Sequence, residues 1–236
     1  FQFRVTGEDV DPVGGLFWDG RADTAELQAL GPFLNALEMN NKDAASVVRK
    51  IAAAPYAQMF RDEFGSQIFN NPNLAFQKIG VAIAAFERSS ALQPFSSKYD
   101  QFIQGKAKFT PQESNGMKVF IDVNKGNCAS CHLMNPNSSK PSDSLFTDFA
   151  FYATGIPRNM AIPRNANPSF FDLGLCGPDR TKPALTSNVP ANISIEKFCG
   201  TFRMTSLRNT AERKAWMHNG FFKDLRDVVS FYASRN

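Results

Sequence analysis

The sequence predicts a mostly α-helical chain with long irregular loops, and three observations carry that prediction. Apolar residues recur at helical spacing in four segments. Helix-start signals stand before two of them, and a breaker before a third. Between Leu133 and Gly200 the periodicity gives way to Pro, Asn, Ser and Gly with no long periodic run.

In chain order, Ala44, Val47, Val48 and Ile51 form the first apolar stripe, behind Asp43 as N-cap. Phe76, Ile79, Ile83 and Phe86 form the second, after the breaker Asn70-Asn71-Pro72-Asn73. Ser96 to Gly105 reads as the junction of two helical halves, which divides the chain into residues 1–98 and 99–236. Thr110-Pro111-Gln112-Glu113 is a capping box with proline at the first helical position. Its helix carries Met117, Phe120 and Ile121 inward and stops at Asn124-Lys125-Gly126. Leu225, Val228, Val229 and Tyr232 make one stripe of a final helix. No internal repeat is evident.

The 236 residues suffice for one large domain or two small ones, and 43% hydrophobic with 20% charged residues is ordinary for a globular chain. A net charge of +4 without a dense Lys/Arg run excludes a nucleic-acid footprint. The longest apolar stretch, Ile79 to Phe86, falls far short of the roughly 20 residues a membrane helix needs, so no membrane span is expected.

Chemistry concentrates at Cys128-Ala129-Ser130-Cys131-His132. In Cys-x-x-Cys-His each thiol adds to one haem vinyl group, and the histidine falls beneath the iron as its proximal ligand. A redox dithiol has no use for the histidine, and a zinc site needs more ligands than the other histidine, His218, supplies. One haem c is therefore expected here. For the sixth iron position Met204, Met217 and Tyr232 are candidates, and periodicity does not choose among them. Cys176 and Cys199 are left to pair as a disulfide or to stay as two buried thiols. Haem c attachment takes place outside the bacterial cytoplasm, where thiols oxidise, so a periplasmic address and a disulfide support each other.

Several segments together resemble the bacterial di-haem cytochrome c peroxidases and their relative MauG. They are Phe17-Trp18-Asp19-Gly20-Arg21-Ala22, Gln28-Ala29-Leu30-Gly31-Pro32, Leu37-Glu38-Met39, Ala84-Ala85-Phe86-Glu87-Arg88, the haem motif, Gly155-Ile156-Pro157-Arg158-Asn159, Ser206-Leu207-Arg208-Asn209 and His218-Asn219-Gly220. The resemblance implies two cytochrome-c-like haem domains, with hydrogen peroxide met at the N-terminal haem. It implies Glu38 as the distal acid/base, Gln28 and Pro32 as walls of the same pocket, and Trp18 as an electron relay between the haems. It places the sixth ligand of the C-terminal haem fourteen residues after His218, at Tyr232, where the ordinary peroxidases have methionine and MauG has tyrosine. A phenolate is a hard anionic donor that favours higher iron oxidation states. That substitution points to MauG-like oxidation of a residue, a tryptophan, on a partner protein. The alternatives are a peroxide scavenger fed by a small cytochrome or copper protein, and a mono-haem electron carrier.

The family's first Cys-x-x-Cys-His precedes the equivalent of Phe17-Trp18, and its members continue past the equivalent of Tyr232. The expectation is a piece of a longer protein, its first domain incomplete and a second haem supplied elsewhere. MauG has a tryptophan two residues before its second haem motif, where this chain has Gly126. The family's interdomain calcium is bound near a segment that reads Arg213-Lys214-Ala215 here, and two cations weaken that expectation.

Overall fold

The computed structural model describes residues 1–6, 9–180 and 193–234. Helices are the main regular structure of the chain, with few strands. It forms two compact units: residues 1, 15–17 and 22–94, and residues 2–14, 18–21 and 95–236. No helix among the described residues is long and apolar enough to cross a membrane.

The first unit holds α1 (Ala25–Leu34), α2 (Ala44–Ala52), α3 (Ala57–Phe64) and α4 (Pro72–Glu87). Asp43 caps α2 in a reciprocal box, its carboxylate accepting from the Ser46 amide at 2.7 Å. Pro72 begins α4 at the first helical position, where its missing N–H costs nothing, and Asn71 caps it. The breaker is thus the helix start. Val47, Val48, Ile68, Ala75 and Ile79 form the buried centre, with Phe33, Phe60, Phe69 and Phe76 packed around it. Phe86, expected on the inner stripe, is 60% exposed instead, one turn past the last contact α4 makes with this core. Gly80 brings α4 against α1. A Cβ there would lie 2.4 Å from the Glu26 carbonyl oxygen.

The second unit opens with β1 (Gln2–Thr6) paired antiparallel to β2 (Asp9–Val13), and Val13 bridges to Ala150. Two-residue strands β3 (Phe151–Tyr152) and β4 (Phe202–Arg203) pair beside it. Such short strands leave no alternation to read in sequence. The helices are α5 (Lys98–Ile103), α6 (Pro111–Ile121) and α7 (Leu225–Ala233). The main stretch of the first unit ends at residue 94, just before the segment 96–105 read as the junction, and that segment is largely the capped helix α5. The Thr110–Glu113 capping box on α6 is reciprocal, as its spacing predicts. Met117, Phe120 and Ile121 are only half-buried, and α6 has no fully buried residue. Between Leu133 and Gly200 the described chain is mostly turns and single 3-10 turns. Cys176 and Cys199 form a disulfide that ties this stretch beside buried Leu175 and Phe198. Closing a loop of that separation contributes roughly 3 kcal/mol in the chain-entropy model.

Contrary to the sequence reading, one device does repeat, at an offset of 200 residues. Leu16 bridges Ala22 and Trp216 bridges Phe222. Phe17 and Met217 both take positive φ (64° and 68°), as do Gly20 and Gly220 (66° and 61°). Thr24 and Asp224 then cap α1 and α7. Gly20/Gly220 is the one identity across these two loops, so the repeat lies in the backbone and not in the side chains.

Candidate functional site

α6 ends at Ile121, and the chain turns back until Gly126 donates to the Val119 carbonyl at 3.1 Å. A Cβ at Gly126 would stand 2.6 Å from that oxygen, so this loop has no room for a tryptophan side chain without rearranging. Cys128–Ser130 make a 3-10 turn, and the His132 amide closes it on the Cys128 carbonyl at 2.9 Å. Both thiols are free, Cys128 exposed and Cys131 half-buried, and burial pushes the Cys128 thiol up.

His132 is held from behind. Its Nδ1 lies 3.0 Å from the Phe146 carbonyl oxygen. A carbonyl only accepts, so Nδ1 carries the proton and the Nε2 lone pair is left for a metal. Burial pushes the imidazole pKa down, against this hydrogen bond, which favours a neutral ligand. Phe146 has φ of 55°, and three contacts hold it: its amide to the Leu133 carbonyl (2.9 Å), the Leu207 amide to its carbonyl (3.3 Å), and Ser206 Oγ to the Leu145 carbonyl (2.6 Å).

Arg208 locks this loop. It bonds both Asp100 oxygens at 3.0 and 2.9 Å and the Ser144 carbonyl at 2.8 Å. Asp100 is 1% exposed. Burial raises its pKa, but the bonds from Arg208 and Ser97 outweigh that and hold it below the usual carboxylate range. Arg208 lies within a segment quoted for the family resemblance, whereas no local pattern marks Asp100.

A cleft of about 840 Å3, open to solvent, lies in this unit and is lined among others by His132, Tyr232, Trp18, Met204, Met217 and His218. From α7, Leu225, Val228 and Tyr232 face it at i, i+3 and i+7. The cleft thus gathers His132, Tyr232 and Trp18, and also both alternative sulfur ligands. His218 stacks on Phe202 at 3.5 Å, and burial lowers its pKa to about 4, so it is neutral at pH 7. Tyr152, also lining the cleft, donates to Asp148, and burial with that carboxylate raises the phenol pKa. The cleft suits a mostly apolar group bearing negative charge: among the described residues no Asp or Glu lines it, while Arg203 and Arg213 do.

Gln28, Pro32 and Glu38 belong to the first unit. Gln28 and Pro32 are half-buried, one turn apart on α1. Glu38 is exposed on the next turn, its amide bonded to the Asn35 carbonyl at 3.0 Å. In the backbone repeat Gln28 corresponds to Val228 and Pro32 to Tyr232, each pair at the same step of its helix. Among the described residues no three His, Cys, Asp or Glu side chains cluster to hold a metal ion. Sequence reasoning missed Arg203, Tyr152 and Asp148, which adjoin the cleft only after the irregular chain folds back.

Comparison with known proteins adds independent information. A family model described as di-haem cytochrome c peroxidase matches residues 5–108. The chain is 37% identical to the methylamine utilization protein MauG of Paracoccus denitrificans over 93% of its own length and 53% of that protein's. Among solved structures it resembles the diheme peroxidase BthA of Burkholderia thailandensis, with a TM-score of 0.82 and 39% identity over 94% of this chain and 52% of that one. A Tyr-to-Met variant of the same peroxidase matches with a TM-score of 0.83 and 38% identity over 97% and 53%. The chain spans about half the length of the relatives it matches.

Proposed function

The chain belongs to the di-haem cytochrome c peroxidase/MauG family, and on that premise we propose that it is part of a peroxide-dependent di-haem oxidoreductase whose oxidising equivalents act on a partner protein. The observation that carries this reading is the shared cleft of His132, Tyr232 and Trp18 behind the Cys128–His132 turn. Cys128 and Cys131 would hold the porphyrin through thioethers, with His132 Nε2 and the Tyr232 oxygen on the iron. When bound, the group supplies a one-electron redox centre. Phe146, through its carbonyl, keeps the imidazole in one tautomer and one orientation. The Tyr232 phenolate favours the oxidised metal, and Trp18 offers an oxidisable ring in the same cleft.

The first unit takes the peroxide role. The backbone repeat supports it: where α7 presents Tyr232, α1 presents Pro32, which has no atom able to bind a metal. That position stays open for substrate, with Gln28 one turn earlier to donate a hydrogen bond. The Glu38 carboxylate accepts a proton from one peroxide oxygen and returns it to the other as the O–O bond breaks. A second haem, carried by a segment of the complete protein outside residues 1–236, completes this site. The disulfide supports an exported, periplasmic address.

Oxidation of a tryptophan on the partner is the finer reading, favoured by Tyr232. One observation favours the alternative of a scavenger fed by a small redox protein: Gly126 leaves no room for the tryptophan that MauG carries there. In the complete protein, Glu38→Gln should keep both haems and lose about 10²–10⁴-fold in peroxide turnover. A variant with full haem content and the parent rate would remove Glu38 from the mechanism.

A further inference from the structure

Arg203 is a half-buried charge in the second unit for which the described residues supply no ion pair. It sits on β4, its amide bonded to the Trp18 carbonyl at 2.8 Å, and it lines the cleft. Its guanidinium rests 5.3 Å over the Phe149 ring, and Nε is shut off from solvent with no hydrogen-bond partner. Among the described residues it forms no ion pair. The comparison with its neighbours is sharp: Arg180 bonds the carbonyls of Asp19 and Gly20, and Arg208 bonds Asp100. Burial lowers the Arg203 pKa, the sign of a cation whose hydration has been removed without replacement.

A half-buried guanidinium is retained where an anion meets it, because desolvating it alone is costly. Among the described residues no carboxylate lines the cleft to serve. The anion must therefore come with the ligand, and the ligand that Cys128, Cys131 and His132 call for carries two propionates. We propose that Arg203 binds a propionate of the haem held at Cys128 and Cys131, an assignment that rests on the haem reading above. The planar guanidinium fork matches a carboxylate with two parallel N–H···O bonds, and Phe149 covers the opposite face. Arg213 is exposed and lines the same cleft, at its rim. Arg203 then has an electronic consequence. A cation on the propionate disfavours the ferric state, opposing the Tyr232 phenolate, so Arg203 limits how far the potential falls.

The test is the midpoint potential and the propionate bending mode in resonance Raman of the complete holoprotein, for the parent, Arg203→Lys and Arg203→Leu. Arg203→Leu should lower the midpoint by the equivalent of about tenfold in the reduced-to-oxidised ratio, about 59 mV for one electron. It should also shift the propionate mode. Arg203→Lys, which keeps the charge and loses the fork, should recover most of the potential but not the mode, a pattern that general loosening of the fold would not produce. Parent values for both readouts in Arg203→Leu overturn the assignment. If that variant fails to mature, an unshifted propionate mode in Arg203→Lys does so instead. A parent protein without covalent haem at Cys128 and Cys131 overturns the haem reading itself, and this assignment with it, before any variant is compared.

Discussion

Asp100 shows how one buried charge organises the proximal side of the site. Its carboxylate is almost fully enclosed, yet two Arg208 bonds, the Ser97 amide and the Ser97 hydroxyl satisfy it. The same guanidinium grips the loop whose Phe146 carbonyl orients His132. Removing Arg208 leaves an uncompensated buried charge, so Arg208→Leu should destabilise the protein by about 3–5 kcal/mol, measured by denaturant unfolding. The pH dependence follows from the direction of the shift. The Asp100 pKa is depressed on folding, so its contribution is complete above the ordinary Asp value of about 3.9 and is lost as pH falls toward the lower folded value. Acid unfolding curves of Asp100→Asn should be flatter than the parent's in that window. Equal slopes would show that another carboxylate governs acid stability.

At the scale of elements, what packs is decided by small residues at close approaches. α1 carries Gln28 and Pro32, and its seat on α4 depends on Gly80 lying against the Glu26 carbonyl and Leu30. Gly80→Ala should push α1 off α4 and cost about 1–3 kcal/mol by overpacking. Gly116→Ala on α6, where a Cβ meets nothing within 4 Å, should be neutral or stabilise by roughly 0.5–1 kcal/mol. If the two alanines behave alike in thermal melts, the close approach is not what seats α1. Capped helices were the legible part of the fold. Asp43 with Ser46 and Thr110 with Glu113 are local signals that set their own helix starts. β3 and β4 were not legible, because their two-residue pairing is made by partners about fifty residues away. The α1/α7 repeat escaped notice for a related reason: positive φ at Phe17 and Met217 is a backbone property with no residue signature.

For the whole molecule the decisive quantity is the number of haems. The chain matches about half the length of its relatives, and it carries one Cys-x-x-Cys-His. Mass spectrometry and pyridine haemochrome analysis of the complete protein should return two covalent haems, one of them on the peptide containing Cys128 and Cys131. A single haem would favour the electron-carrier reading, with Met204 or Met217 competing for the iron in the same cleft. The three candidate ligands share that cleft, so a spectrum diagnostic of phenolate or thioether ligation distinguishes them.

The sequence by itself determined the helix starts and pointed to the haem-attachment motif. The Cys128-x-x-Cys131-His132 spacing is read within five residues, and a cap acts within one turn. It also determined the family, because ordered short segments survive changes elsewhere. Only the tertiary structure decided what surrounds the cleft at His132. The Arg208–Asp100 lock, the unpaired Arg203 guanidinium and the cleft shared by Trp18 and Tyr232 all bring in residues far apart in the chain. Burial gives those charges their force, and burial is a property of the folded neighbourhood that no single stretch of sequence contains.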